Sequence, residues 1–317
     1  MDFLQGNNSR VPADKRPTAV ALGFFDGVHR GHQQIIGTML EQADKLGLTP
    51  VVHTFLVSPR VLLGKAKVAY QITSMEEKLD ILERMSVEIV AADDFSPEYR
   101  SMSPEEFVEK VLIDRLGARA VVAGFHYHFG KNGAGDADLL RRLCRQRGVE
   151  CTIVQRIAQE GETISSTHIR ELIEEGQIQQ ANELLGHPYF VIAEVVRGKQ
   201  FGRTIGFPTI NQNIKEHSIV IKKGVYITRV LIDGQWFLGI TNVGRRPSVE
   251  ANGRENIETY IFDVDADLYG RSLKVEFLRR LRDEQKFASG EELQAQIARD
   301  KAYTLQYMEE LGHREKM

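Results

Sequence analysis

The chain has 317 residues, of which 42% are hydrophobic and 27% are charged, and its formal net charge is −3. This length and composition allow two ordinary hydrophobic cores, and the balanced charge gives no basic footprint for nucleic acid. The two cysteines form no CxxC pair, which argues against a disulfide framework and favours a reducing compartment. The polar N-terminus and the lack of long apolar runs predict neither a signal peptide nor a membrane span.

We therefore expect a cytoplasmic, soluble protein that binds neither nucleic acid nor membrane. The sequence leaves its oligomeric state open. Residues 1–15 are polar and carry no clear periodicity, so a disordered tail is expected there.

In the first half of the chain, short apolar runs alternate with amphipathic stretches. Strands are predicted at 18–22, 51–56, 87–92, 119–124 and 151–156, with helices between them at 33–46, 74–85, 104–116 and 137–147. Ser74 with Glu77 forms a capping-box pattern, and Ser103 precedes a proline at the first helical position. Strict alternation of strand and helix predicts an α/β domain with a Rossmann-type parallel sheet covered on both faces.

The pattern changes after two successive predicted helices, 166–176 and 178–185. Short runs rich in β-branched and aromatic residues follow at 189–196, 224–231, 236–241, 256–262 and 273–278. Asp233-Gly234 is a hairpin turn signal, and an amphipathic helix is predicted from 290 to about 311. We expect a domain boundary at 186, which divides the chain into an α/β domain, 1–186, and a β domain, 187–317.

Residues 23–32, Gly-Phe-Phe-Asp-Gly-Val-His-Arg-Gly-His, follow the first predicted strand and open the first helix. Ligands bind at this end of parallel strands, and a helix N-terminus attracts phosphate. His29 and His32 are three residues apart, so both lie on one helical face and can donate to phosphate oxygens as charge builds up. A transition-metal site is the alternative for this pair, but no third ligand stands nearby in the sequence.

A second anion-binding pattern occupies residues 164–170, Ile-Ser-Ser-Thr-His-Ile-Arg. Hydroxyl side chains enter a helix there, and Arg170 follows one turn later, which suits phosphate binding. Taken alone, the hydroxyls are better explained by an ordinary helix N-cap. Only the combination with the histidine pair favours phosphate binding.

The two motifs together resemble the HxGH and ISSTxIR motifs of the adenylyltransferase half of prokaryotic bifunctional riboflavin kinase/FAD synthetases. The resemblance implies that His29 and His32 are catalytic. It also implies an ATP site made by Gly23, Phe25, Asp26, Gly31, Ser165, Ser166, Thr167 and Arg170.

Two further segments stand where this family contacts the flavin. Pro59 and Arg60 are kept, but Ser58 replaces the usual histidine before them. In the loop 124–130, His126 and His128 occupy positions where acidic and basic residues are common. The resemblance implies that Pro59, Arg60 and these two histidines face the flavin.

Residues 198–211, Gly-Lys-Gln-Phe-Gly-Arg-Thr-Ile-Gly-Phe-Pro-Thr-Ile-Asn, form a glycine-punctuated loop that leads into an extended segment. The lysine and the arginine can neutralise phosphates, and the glycines let backbone amides approach them. Thr209 and Asn211 alternate, so both offer hard oxygen ligands to one side, as Mg²⁺ prefers. No P-loop is present, and a hairpin with ordinary turn glycines is an equal alternative from this local pattern alone.

This segment resembles the GxxxGRxxGxPTxN motif of the flavokinase module, a small Greek-key β-barrel. The resemblance implies ATP binding by Gly198, Lys199, Gly202, Arg203, Gly206, Thr209 and Asn211, with Mg²⁺ on the last two. Glu258 stands where the family has the glutamate that receives the proton of the flavin hydroxyl, and Tyr260 replaces a typical histidine. Arg282 is a candidate for contact with the flavin.

The resemblance covers about residues 17–310 and implies both an α/β domain and a Greek-key β-barrel with a terminal helix. The implied enzyme phosphorylates riboflavin with ATP to FMN, then adenylylates FMN with ATP to FAD and pyrophosphate. One alternative is an enzyme that has lost one step, foremost adenylyl transfer because of Ser58 and the loop 126–128. Another is a flavin- or nucleotide-sensing module without turnover, which the retention of both catalytic sets argues against.

Overall fold

The computed structural model describes residues 1–58, 70–156, 158–159, 162–198, 202, 206–215, 217–245 and 255–314. The chain divides into two compact units, Met1–Ser166 and Thr167–Met317. The division lies earlier in the chain than the boundary expected at 186.

The first unit is built on a parallel sheet. Its strands in the described residues are β1 Asp2–Gln5, β2 Thr18–Leu22, β3 Thr49–Phe55, β4 Ile89–Asp93, β5 Ala118–Gly124 and β6 Glu150–Val154. They lie in the order β1-β4-β3-β2-β5-β6, and every pairing is parallel. Strands β2 and β4 are buried along their whole length, as expected for a sheet covered on both faces. The predicted α/β architecture is confirmed.

Helices connect these strands, and their starts follow from local capping chemistry. They are α1 Arg30–Leu46, α2 Met75–Arg84, α3 Pro97–Ser101, α4 (Pro104–Glu106, continued as the π-helix Phe107–Arg115) and α5 Ala137–Gln146. Ser74 and Glu77 exchange the predicted pair of capping hydrogen bonds at the start of α2. Ser103 caps α4, with proline at its first position. A short hairpin, β7 Ala158–Gln159 and β8 Glu162–Thr163, follows β6.

The expectation of a disordered N-terminal tail is wrong. Strand β1 pairs in parallel with β4, with Phe3 opposite Val90. The Nζ atom of Lys15 donates a hydrogen bond to Asp2 at 2.9 Å. Four mostly exposed residues carry no periodic signal of their own, so only the pairing with an existing sheet edge makes this segment a strand.

The second unit starts within the helix α6 Ser166–Glu175, at Thr167, and continues through α7 Ile178–Leu185 into a barrel. The barrel strands are β9 Tyr189–Val196, β10 Thr209–Asn213, β11 Gly224–Ile232, β12 Gln235–Arg245, β13 Glu255–Ile261 and β14 Ser272–Arg282. They close in the order β10-β13-β12-β11-β14-β9 with antiparallel pairing, and the helix α8 Gly290–Arg314 follows. The predicted barrel and terminal helix are confirmed.

In the second unit, two polar side chains hydrogen-bond to the backbone of neighbouring strands and so hold these elements together. Asn182, in α7, donates to the carbonyl of Phe277 at 2.8 Å and accepts from the amide of Tyr189 at 2.7 Å. Gln212, fully buried in β10, donates to the carbonyls of Ala193 and Leu273 at 2.6 and 2.9 Å. Because side chains alternate along a strand, burying Gln212 turns its neighbour in β10 toward the opposite face.

A buried charged cluster stabilises the first unit. Asp93, the last residue of β4, accepts from both terminal nitrogens of Arg115 at 2.6 and 2.7 Å and contacts Nε2 of His53 at 2.8 Å. These side chains are at most 6% exposed. Burial alone would raise the pKa of Asp93, but the neighbouring His53 and Arg115 bring it down to about 2.

Replacing Asp93 by asparagine is expected to lower the free energy of unfolding by about 3–5 kcal/mol, because Arg115 would stay buried without a countercharge. Since the folded pKa is depressed, this contribution is present above the ordinary value of 3.8 and is lost as the pH falls toward 2. Thermal unfolding followed by circular dichroism measures the change.

The matched control is Asp80→Asn, which removes the half-exposed helical ion pair with Arg84. Such exposed pairs contribute about 1 kcal/mol or less. Equal unfolding midpoints for the two variants would contradict a stabilising role of the buried cluster.

Candidate active sites

The turn between β2 and α1 has a backbone that ordinary residues rarely adopt. Phe25 and Val28 have φ angles of 54° and 40°, and Gly27 has a φ of 77°. Phe25 and Val28 are also completely buried. Strained conformations of this kind persist only where the surroundings impose them, and they concentrate at functional sites.

Asp26 imposes this conformation from beneath the turn. Its Oδ1 atom accepts from the backbone amides of Ile72 and Thr73 at 2.9 and 3.2 Å. The amide of Gly27 in return donates to Oγ1 of Thr73 at 3.0 Å. Asp26 is only 2% exposed, so its carboxylate shapes the turn instead of reaching into solvent.

The two predicted catalytic histidines lie together at the N-terminus of α1. His29 caps the helix, because its Nδ1 accepts from the amide of His32 at 3.3 Å. The two rings are stacked, with centroids 3.6 Å apart and planes inclined by 15°. With Nδ1 accepting, the proton of a neutral His29 ring is on Nε2. A Cβ atom on Gly31 would lie 3.1 Å from the His29 ring. Glycine at this position therefore avoids a close contact with the ring.

His32 is held in a neutral state by its surroundings. Burial lowers the pKa of His32 well below its usual value, and the charges of His29, Lys78 and His126 lower it further. Phe25 packs edge-on against its ring, with centroids 5.3 Å apart. Phe25, predicted at the ATP site, therefore supports His32 from the protein interior. Among the described residues, Nδ1 of His32 is buried without a hydrogen-bond partner.

Lys78 is a site residue that the sequence analysis missed. Its Nζ atom donates to the carbonyl of Phe24 at 2.6 Å and lies 4.3 Å from the centre of that ring. Burial lowers the pKa of Lys78 to about 8, and the charge of Asp26 partly offsets this shift. The available signal was a lysine on the apolar stripe of α2, with the buried Ile81 and Leu82 one turn later.

A hydrogen bond joins the predicted anion-binding motif, residues 164–170, to the turn 23–32 that carries the two histidines. Ser166 donates from Oγ to the carbonyl of Asp26 at 3.0 Å. Ser165 is half-buried beside it. Thr167 and Arg170 belong to the second unit. Thr167 is exposed on the first turn of α6, and Arg170 is half-buried one turn later.

The predicted flavin-side histidines follow β5 and are both exposed. Nδ1 of His128 lies 2.9 Å from the carbonyl oxygen of His126. Partial burial lowers the pKa of His126, as do the charges of Arg156 and His128. Pro59 and Arg60 lie outside the described residues, whereas Ser58 is buried.

The second unit contains a cavity of about 350 Å³ bounded by barrel strands and the start of α8. Its apolar walls come from Phe207, Val225, Ile240, Tyr260, Phe287 and Leu293. Thr209, Asn211 and Glu258 line the same cavity. An apolar cleft with a few convergent polar groups is the usual form of a small-molecule site.

The strand register brings these polar groups together. Asn211 in β10 stands directly opposite Glu258 in β13, and Thr209 lies two residues before Asn211 on the same face. A Cβ atom on Gly198 would lie 2.3 Å from Nδ2 of Asn211. Gly198 therefore must be glycine for the loop to approach Asn211 this closely.

The structure describes only some of the remaining ATP-binding residues predicted in the loop 198–211. Gly202 lines the cavity, and its carbonyl accepts from the amide of Phe207 at 2.8 Å. Gly206 is exposed with a φ of 79°. Lys199 and Arg203 lie outside the described residues.

Arg282 reaches the cavity from the end of β14 and pairs with Asp300 of α8. Its Nε and Nη2 atoms both donate to Oδ2 of Asp300, at 3.1 and 2.7 Å. Asp300 also lines the cavity, and the sequence analysis did not identify it. This ion pair ties the terminal helix to the barrel at the cavity wall.

In the described part of the chain, no group of three or more His, Cys, Asp or Glu side chains is placed to hold a metal ion. Within the same residues, no helix has both the length and the apolar character needed to cross a membrane.

Comparison with known proteins gives matches along nearly the whole chain. The family model for FAD synthetase matches residues 11–168, and the model for riboflavin kinase matches residues 185–308. The bifunctional riboflavin kinase/FMN adenylyltransferase of Bacillus subtilis is 35% identical over 305 residues, which cover 95% of this chain and 96% of that protein. The protein of the same name from Escherichia coli K12 is 35% identical over 301 residues, with the same coverage of both chains.

A solved structure also matches the full chain. It is a crystal structure named as a macrolide-efflux protein from Streptococcus pneumoniae, with a TM-score of 0.82 and 32% sequence identity. The match covers 96% of this chain and 99% of that one.

His32 is expected to remain neutral in the ligand-free protein as the pH is lowered from 7.5 to 6. Its pKa is well below the ordinary 6.5, so stability is lost as the pH falls below 6.5, where the unfolded chain binds the proton. Side-chain nitrogen chemical shifts measure this directly, with the signal assigned from His32→Gln.

The same nitrogens in the urea-unfolded chain serve as the control and should titrate near 6.5. Titration of folded His32 at or above that value would contradict the burial argument.

Proposed function

The chain belongs to the family of bifunctional riboflavin kinase/FMN adenylyltransferases, and on that premise we propose that its two reactions occur at the two sites described above. The enzyme phosphorylates riboflavin with ATP to give FMN and ADP, and adenylylates FMN with ATP to give FAD and pyrophosphate. The observation that carries the division is that each unit holds its own proposed catalytic side chains. The first has the stacked histidines, and the second has Glu258 beside Asn211.

We propose that Glu258 receives the proton in phosphoryl transfer. The 5′-hydroxyl oxygen of riboflavin forms a bond to the γ-phosphorus of ATP, and the bond from that phosphorus to the bridging oxygen breaks to release ADP. The hydroxyl proton passes to the Glu258 carboxylate, which lines the cavity. The apolar walls offer a surface for the flavin ring, with Arg282 at its edge.

Mg²⁺ fits the donors at this site. Thr209 and Asn211 present a hydroxyl and an amide oxygen on one face of β10, and Mg²⁺ prefers such hard oxygens with few protein ligands. These two residues would hold the ion, and when bound it would neutralise phosphate charge. Gly198, Gly202 and Gly206 let the loop approach the phosphates, and Lys199 and Arg203 add positive charge.

We assign adenylyl transfer to the turn 23–32. An oxygen of the FMN phosphate forms a bond to the α-phosphorus of ATP, and the bond to the bridging oxygen breaks to release pyrophosphate. No side-chain nucleophile is required, because His29, His32 and the N-terminus of α1 stabilise charge on the phosphate oxygens. Asp26 and Phe25 act by holding this arrangement, and Lys78 joins them from α2.

The other motif residues complete the proposed ATP and flavin sites. Gly23 and Gly31 give room at the turn, and Ser165, Ser166, Thr167 and Arg170 would contact ATP. Pro59, Arg60, His126 and His128 would face the flavin. The name of the Streptococcus structure refers to another activity, whereas both family models and both sites favour flavin chemistry.

We place the functional domains at 1–186 and 187–317. One family model ends at 168 and the other begins at 185, which supports a boundary in the helical connection. We also propose that the enzyme works in the cytoplasm, where ATP is abundant.

Replacing His32 by glutamine is expected to lower the rate of FAD formation by about a hundredfold or more, as for loss of one charge-stabilising donor. FMN should still accumulate from riboflavin, because the kinase groups are untouched. Chromatographic separation of riboflavin, FMN and FAD measures both steps. The control is His217→Asn, which changes an exposed histidine of the second unit, and a folded His32 variant without either activity would refute the assignment.

Glu258→Gln is expected to reduce FMN formation by about 10²- to 10⁴-fold, since the proton loses its acceptor. Conversion of supplied FMN to FAD should stay near the wild-type rate. The control Glu194→Gln makes the same change at an exposed position of β9. Kinase turnover close to wild type in Glu258→Gln would remove this residue from its proposed role.

A further inference from the structure

Asn256 is a buried side chain between the two key groups of the barrel site. It is 4% exposed. Its Nδ2 atom donates to Oδ1 of Asn211 and to Oε1 of Glu258, each at 3.3 Å. One amide nitrogen carries two hydrogens, so it can satisfy both acceptors at once.

The register of β13 creates this bridge. Residues 256 and 258 share one face of the strand, and Asn211 stands directly opposite Glu258, so Asn256 reaches both from a diagonal position. The orientation of its amide follows from chemistry. An ionised carboxylate only accepts hydrogen bonds, so the nitrogen of Asn256 must face Glu258.

We propose that Asn256 is a positioning residue for phosphoryl transfer, which holds the Glu258 carboxylate and the Asn211 amide in their reactive orientations. The inference rests on the proposed function of the barrel site. Asn211 Oδ1 accepts one of the two hydrogen bonds, which orients its amide. Glu258 accepts the other through Oε1, and its carboxylate would receive the substrate proton.

The charges around the bridge make its neutrality important. The other titratable groups that line the cavity are Tyr260, Arg282, Glu284 and Asp300, and Arg282 is paired with Asp300. An aspartate at 256 would place a second carboxylate within hydrogen-bond distance of Glu258. Such an aspartate also has no N–H to donate, so both hydrogen bonds that orient Glu258 and Asn211 would be lost.

Two substitutions test the proposal, and FMN-to-FAD conversion in the same molecule is the internal control. Asn256→Ala should lower kcat for FMN formation about tenfold to a hundredfold, with a small change in KM for riboflavin, because orientation is lost and the cavity walls stay. The isosteric Asn256→Asp keeps the shape of the side chain but has no N–H to donate, so it should lower kcat at least as much as Asn256→Ala. Gln235→Glu, which adds the same charge to the exposed β11–β12 hairpin, should leave kcat for FMN formation unchanged.

Glu258→Gln, assayed in parallel, separates the two levels of the argument. Normal kinase activity in Glu258→Gln would refute the site itself. An inactive Glu258→Gln, together with wild-type kcat for FMN formation in both Asn256 variants, would overturn the positioning role alone. Loss of adenylylation along with kinase activity in both Asn256 variants would show a purely structural role and overturn it as well.

Discussion

The proposed adenylyl-transfer site depends on the hydrogen bonds that the carboxylate of Asp26 accepts. This carboxylate binds the amides of Ile72 and Thr73 and so holds a turn whose backbone is strained at neighbouring positions. That turn delivers His29 to the N-terminus of α1 as a cap and stacks it on His32. The backbone carbonyl of Asp26 accepts a hydrogen bond from Oγ of Ser166. One buried residue thereby holds the backbone from which the groups of this proposed site extend.

In the barrel, strand register brings the polar groups of the proposed kinase site together. Burial of Gln212 turns Asn211 to the cavity face, and antiparallel pairing sets Glu258 opposite it. The alternation of Thr209 and Asn211 was predictable from the sequence, because alternation along a strand is a local property, whereas Glu258 was predicted from the resemblance alone. The parallel sheet and the capped helices were predictable for the same reason, as Ser74 and Glu77 show. The flavin itself came from the resemblance, since local patterns alone left a hairpin as an equal alternative.

What the sequence did not predict depends on contacts between distant segments. Lys78 reaches the histidine turn from another helix, and a lysine in an amphipathic pattern carries no mark of its partner. Strand β1 exists only through its pairing with β4. A motif also cannot tell a residue that touches the ligand from one that holds the loop. Phe25 and Asp26 were predicted at ATP, and the fold buries both beneath the turn.

We propose that two separate sites in one chain carry out the successive phosphorylation of riboflavin and adenylylation of FMN. An equimolar mixture of His32→Gln and Glu258→Gln, supplied with riboflavin, ATP and Mg²⁺, tests it directly by product chromatography. Each variant retains the site that the other lacks, so FMN released by the first should be adenylylated by the second. We expect the mixture to form FAD at a rate at least about a hundredfold above that of the doubly substituted chain. Absence of FAD from the mixture, with each variant active in its own step, would contradict two independently working sites.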